Sequence, residues 1–181
     1  MAVPPDEKGL TAEMDEIDTA MLVLRVWMGI VMLAHGINHA RTQEGTARWF
    51  EKVGFKSPEL NARLSAANEI AIGLALIAGL LTTIAAAGLV ATMLAAFWAI
   101  HRFAGFFVFH RPDEGYEYVA TLSVAALALA LVGPGSVSLD AVIGLDENLS
   151  GVVGAGIIGL GLLAGAGQLA VFWRKPVAVD E

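Results

Sequence analysis

The chain has 181 residues, room for one domain, and is 56% hydrophobic with only 16% charged residues and a mean hydropathy of +0.66. Soluble domains carry roughly 25% charged residues, so a water-covered globule is excluded and a membrane-embedded chain is expected. The net charge of −7 argues against a nucleic-acid surface, and the absence of cysteine excludes disulfides, thiol nucleophiles, Fe–S clusters and Cys-ligated zinc.

Residues 1–19 are rich in acid (Asp6, Glu7, Glu13, Asp15, Glu16, Asp18) and read as a solvated tail. They lack the basic n-region of a cleavable signal peptide, so they are expected in the mature chain. Crossing about 30 Å of hydrocarbon takes about 20 mostly apolar residues, and five stretches suit this. They run from Ala20 to His39, Ala62 to Leu81, Thr83 to Phe103, Glu117 to Val132 and Gly151 to Trp173. The second and third are joined near Leu81-Thr82-Thr83 by almost nothing, which predicts a tight helical hairpin. Gly133-Pro134-Gly135 stops the fourth, because proline lacks an amide hydrogen and glycine permits the turn.

Between the first two spans, residues 43–56 are too short to cross. Trp49, Phe50, Val53 and Phe55 alternate there with Arg48, Glu51, Lys52 and Lys56, the pattern of a helix lying at the membrane interface with its rings among headgroups. The fifth span is lined by Gly151, Gly154, Gly156, Gly159, Gly161, Gly165 and Gly167. Small residues let helices approach closely in lipid. This helix is therefore built to contact another helix, in this chain or in a partner.

Nine of the eleven cations (Arg41, Arg48, Lys52, Lys56, Arg63, Arg102, Arg111, Arg174, Lys175) fall on the face shared by the first and third loops and the C-terminus. The positive-inside rule then places the N-terminus outside and the C-terminus, tail 174–181, in the cytoplasm.

Antiparallel spans bring four helix ends together, and those ends carry the polar residues. His35, Asn38 and His39 close the first span, Asn68 and Glu69 lie early in the second, His101 and Arg102 end the third, and Tyr116, Glu117 and Tyr118 open the fourth; His110 lies in the adjoining loop. Arg25, Met28, Met32, His35 and His39 recur at three or four residues and share one helical stripe. A carboxylate in a spanning helix costs about 2.5–3.5 kcal/mol on insertion scales, so Glu69 should pair with a cluster cation or be protonated, either as a tie between helices or as a working group.

The histidines read first as hydrogen-bond donors or proton relays. Metal or haem ligation is the lesser reading, since no acid follows His35 in its own helix, and no metal ligand is assigned. Trp98, Phe103, Phe106 and Phe107 could flank a flat ring such as a quinone, or serve as interfacial anchors. Glu69 and His101 are thus candidates for proton exchange. Arg25, His35, His39, Asn68, Trp98, Tyr116 and Tyr118 are candidates for ligand binding.

From Leu22 to Leu145 the chain resembles the DoxX family of small bacterial membrane proteins. The residues that carry the resemblance are Arg25, Gly29 and His35-Gly36, then Trp49-Phe50, Val53-Gly54-Phe55 and Pro58, then Glu69, Gly73 and Gly79. It continues through His101, Gly115-Tyr116-Glu117-Tyr118, Gly133-Pro134-Gly135 and Ser138-Leu139-Asp140. Asn38-His39 and Thr82-Thr83 stand where relatives often carry basic residues. The resemblance implies an all-α, four-helix membrane bundle over 20–145, to which the glycine-rich helix of segment 146–173 is an addition.

It also implies a bacterial inner-membrane subunit of a respiratory or redox complex, since some relatives look like subunits of a thiosulfate:quinone oxidoreductase and others join thiol and superoxide defence. With no cysteine, any thiol chemistry would come from a partner. Three functions remain open: a subunit binding quinone or passing protons at the polar layer, a non-catalytic anchor or assembly factor, and a lipid or small-molecule carrier. Expected partners are the bilayer and other redox subunits, met through helix 151–173.

Overall fold

The computed structural model describes the backbone of residues 7–109 and 114–175, with side chains from Glu16 onward. His110, Arg111, the first acidic residues and the tail beyond Lys175 lie outside the described residues. All the regular structure described is helical: α1 (Glu7–Arg41), α2 (Gln43–Lys52), α3 (Pro58–Ala78), α4 (Thr82–Ala99), α5 (Glu117–Val132), the one-turn α6 (Leu139–Val142) and α7 (Gly151–Phe172). A 3-10 turn, His101–Phe103, follows α4. The first helix begins at Glu7 and so takes in most of the stretch read as a tail.

This is an all-α membrane bundle. α1 packs along α3, α4 lies against α3, α5 and α7, and α5 closes back on α1. The interior is Met28, Met32, Ile72, Leu76, Leu89, Val90, Met93, Leu122 and Leu129. The outside is just as apolar: Val152 is 89% exposed, Leu163 69% and Val124 68%. Water would not tolerate so much exposed hydrocarbon; acyl chains do. Among the described helices, the Glu16–Arg41 part of α1, α4 and α7 are long and apolar enough to cross a membrane. α5 is shorter, and α3 carries Asn61, Arg63, Ser65, Asn68 and Glu69 in its first half.

Two glycine contacts set the helix spacing. A Cβ on Gly29 would lie 2.8 Å from the Gly73 carbonyl oxygen, and one on Gly36 would lie 2.7 Å from the Ile70 amide nitrogen. α1 and α3 therefore touch backbone to backbone, as small residues allow in lipid. On α7, Gly154, Gly161 and Gly165 play the same part against Ala130, Ala87 and Ala91, while Gly156, Gly159 and Gly167 have open space around them. Three of the seven glycines are thus spent on packing within the chain.

The predicted hairpin between α3 and α4 is present, and two buried charged residues organise it. Gly79, left-handed at φ 66°, ends α3 with its amide directed at the carbonyls of the last turn. Arg25, 1% exposed, donates from Nη1 to the carbonyls of Leu76 (2.9 Å) and Ile77 (2.7 Å), from Nε to Pro134 (3.1 Å) and from Nη2 to Val137. Asp140, 2% exposed, accepts from the amides of Leu81 (2.7 Å) and Thr82 (2.8 Å), capping α4 from outside its own helix. A cation sits at a helix C-terminus and an anion at the next N-terminus, each on the favourable end of its dipole.

At the opposite end, segment 43–56 folds against protein. Phe50 and Phe55 are buried with Ala62, Ala95, Ala99 and Leu169, their rings edge to face at 5.0 Å. This corrects the expectation that these rings sit among headgroups; only Trp49 stays exposed, with Arg48, Glu51 and Lys52 on the outer side. The reason is a tight turn through Gly54 (φ 96°) and Ser57 (φ 51°) that returns the chain onto the base of α3. The end of α7 joins it: Lys56 donates to the Phe172 carbonyl (2.7 Å), Arg174 to Gly54 (2.8 Å) and the Trp173 indole to Val53 (2.9 Å). The cationic loops and the end of α7 thus meet at one end of the bundle.

Candidate functional site

The close contact of α1 and α3 determines which side chains can meet across it. His35 and His39 are four residues apart, so they stand one above the other on one helix face. Gly36, between them, rests on the backbone of α3 at Ala66 and Ile70. Glu69, one residue before Ile70, is thereby brought under both imidazoles. One ligand-type atom from each of His35, His39 and Glu69 lies within 4.8 Å of the others.

The carboxylate is 5% exposed. Its Oε1 accepts from Ser65 Oγ at 2.5 Å, whereas Oε2 is buried without a hydrogen-bond partner. His39 Nδ1 is likewise buried and unpaired. Buried polar atoms are nearly always satisfied, so two orphans on residues of one triad mark a place prepared for a proton, a water or a ligand.

His35 belongs also to a second feature. Its ring lies 6.2 Å from that of Tyr118 on α5, inclined at 27°. Both line a groove of about 440 Å³ with Trp27, Ile30, Val31, Ala34, His101, Val108, Glu114 and Gly115. The far wall is held by the loop after α4. The amides of Gly115, Tyr116 and Glu117 donate to the carbonyls of Phe107, Gly105 and Phe106 at 3.2, 3.0 and 2.9 Å. Gly115 is required there, because a Cβ would meet three carbonyl oxygens at 2.5–2.6 Å. His101 is fixed by a 2.7 Å hydrogen bond between its Nδ1 and the Glu114 carbonyl. The rim is apolar and outward-facing, with Trp27 63% and Ile30 45% exposed. A flat, partly polar molecule dissolved in the acyl-chain region would enter from that side.

Of the nine residues singled out in the sequence, five gather here: His35, His39 and Glu69 in the inner triad, His101 and Tyr118 across the groove. The other four do not. Arg25 works at the opposite end of α1, ten residues from His35 and hence about 15 Å away at 1.5 Å per residue. Asn68 donates to Thr92 Oγ1 on α4 at 3.0 Å. Trp98 lies under the Arg102 guanidinium, 3.9 Å from the ring centroid, in a stack shared with Phe103 and Trp173. Tyr116 packs edge to face between Phe97 and Phe106, both at 5.4 Å.

Two participants escaped the sequence reading although a signal for each existed. Ser65 precedes Glu69 by one helical turn, and Trp27 precedes His35 by two, so each shares its partner's face. Val108 and Glu114 gave no such signal; a loop with no period brings them in.

A search of curated proteins and one of solved structures find no match to this chain. The DoxX family model matches residues 20–102, a stretch that takes in most of α1, all of α2, α3 and α4, and therefore the whole His35–His39–Glu69 triad. The likeness read from motifs reached Leu145; the match ends at the turn after α4. Over residues 20–102 the chain is similar to the DoxX family.

Proposed function

We propose that this membrane protein is the quinone-handling subunit of a redox complex in the bacterial inner membrane. It holds the ring of a quinone-class lipid in the groove between α1 and α5, and it exchanges protons with that ring through His101 and, by way of His35, Glu69. The observation that carries this reading is the pairing of a lipid-facing groove lined by two imidazoles and a phenol with a buried, unpaired carboxylate oxygen behind one imidazole. Reduction of a quinone takes two electrons and two protons. His101 and the His35–Glu69 pair supply two proton positions, while none of these side chains carries electrons. The electrons would come from a docked flavin, haem or metal protein, for which the outward face of α7, with Gly156, Gly159 and Gly167 free, is available. The cationic loops at the polar end support a reading in which that end, with the C-terminus, faces the cytoplasm.

The test is quinone retention. Protein purified in mild detergent is expected to carry quinone in its lipid extract, and a short-chain quinone should quench Trp27 fluorescence. His101→Ala and Tyr118→Ala should each weaken that quenching at least tenfold. A preparation free of quinone whose fluorescence ignores the added compound would refute the reading. Equal complex assembly and electron transfer in Glu69→Gln and His101→Ala would favour the anchor reading instead.

A further inference from the structure

We propose that His35, His39 and Glu69 form a binding site for one divalent transition-metal ion, set behind the groove. Four observations lead there. Two histidines at i, i+4 on one helix face are spaced to ligate a single ion. The acid missing from their own helix is supplied by α3, pressed close through Gly36. Ligand atoms from all three residues lie within 4.8 Å of one another. Two of the atoms available for ligation, Glu69 Oε2 and His39 Nδ1, are buried with no hydrogen-bond partner, which is the state of a donor whose partner is an ion.

The metric fit is close. Zinc–nitrogen and zinc–oxygen bonds of about 2.1 Å put tetrahedral ligands about 3.4 Å apart. The triad therefore has to close by little more than an ångström, within the reach of side-chain rotation. Ser65 Oγ, on the other carboxylate oxygen, is the outer hydrogen bond that holds such a ligand in orientation. Two imidazoles and one carboxylate suit zinc, iron, manganese, cobalt or copper over calcium or magnesium, which prefer all-oxygen shells. Three protein ligands leave at least one coordination position for water or another oxygen.

The site goes beyond the proton-exchange reading and regulates it. An ion and a proton compete for the same Glu69 oxygen and the same imidazole nitrogens, so a bound ion removes Glu69 from the relay.

Purified full-length protein, stripped with a chelator and kept free of quinone, should retain one Zn²⁺ per chain after dialysis. Co²⁺ in its place should give the visible absorption bands of an ion bound by nitrogen and oxygen. Glu69→Gln keeps shape and volume while removing the charge, and should weaken Zn²⁺ binding at least tenfold and abolish the Co²⁺ bands. His39→Gln should do the same. His101→Ala, which disturbs the groove but not the triad, should leave both readouts unchanged, so failure of the groove reading and failure of the metal site are told apart. Circular dichroism and gel filtration of each variant separate lost ligation from lost folding. No retained metal in the folded parent, or Co²⁺ bands that survive both triad substitutions, would overturn the proposal.

Discussion

Arg25→Met is expected to destabilise the bundle without touching the chemistry at its other end. The arginine is fully enclosed and its guanidinium donates to four carbonyls on two separate segments, Leu76 and Ile77 at the end of α3 and Pro134 and Val137 after α5. Hydrogen bonds from a charged donor contribute about 1.5–3 kcal/mol each, and four independent ones would sum to about 6–12 kcal/mol, comparable to the whole stability of a domain. They are not independent, because one rigid fork makes them all and methionine restores part of the packing. The nearer guide is the removal of one partner from a buried ionic contact, which costs about 3–5 kcal/mol. Arg25→Lys keeps the charge but loses the fork, and should cost about half as much. Unfolding in mixed micelles, followed by circular dichroism against denaturing detergent, reads both losses. Quinone retention and Zn²⁺ binding per folded molecule should stay at parental values, since the triad is about 15 Å along α1. The reasoning fails if Arg25→Met moves stability by no more than the roughly 0.5 kcal/mol of an ordinary surface change while abolishing quinone retention. Arg25 would then act at the site, as its place on the His35 stripe first suggested.

Asp140→Asn leaves one oxygen to serve two amides now held at 2.7 and 2.8 Å, and should lower stability by about 1–3 kcal/mol in the same assay. Gly36→Ala sets a methyl 2.7 Å from the Ile70 amide nitrogen; overpacking of this kind costs about 1–3 kcal/mol. It should also widen the α1–α3 gap, weakening Zn²⁺ binding in equilibrium dialysis even where the protein still folds. On α7, Gly161→Ala places a Cβ 2.4 Å from the Ala87 carbonyl oxygen and should destabilise, whereas Gly159→Ala meets nothing within 4 Å. The latter should be neutral or stabilising by up to about 1 kcal/mol from helix propensity. Equal melting of the two variants would show that the glycine faces are assigned wrongly.

The sequence made the bundle legible because hydrocarbon imposes a length and a composition on every span, and because antiparallel connection alone decides which helix ends are neighbours. The convergence of His35, His39, Glu69, His101 and Tyr118 follows from that topology and needed no coordinates. What topology does not give is rotation about each helix axis. Asn68 and Glu69 are adjacent in sequence, yet a step of one residue turns about 100° around the helix, so one faces α4 and the other α1. Trp98 and Tyr116 failed to reach the groove for the same reason. Segment 43–56 was amphipathic as read; the periodicity shows an apolar face but not whether lipid or protein covers it. Asp140 was invisible as a cap because its helix lies 58 residues away in sequence.

Arg25 is the instructive case. An arginine inside a span is expensive and so attracts a functional reading, and its spacing from His35 and His39 is that of one stripe. Yet a stripe on a helix of this length crosses the whole membrane, and its two ends meet different surroundings. At the hairpin end the guanidinium and carboxylate are matched by carbonyls and amides of the turns they organise. At the cationic end Asn61, Glu69, His39 and Arg102 each keep a buried polar atom without a partner, against only Thr82 at the hairpin end among the described residues. Saturated charge holds a fold together, while unsaturated charge costs free energy until something binds it. The uneven distribution of unmet hydrogen-bonding capacity, more than the presence of ionisable residues, separates the clamp from the site.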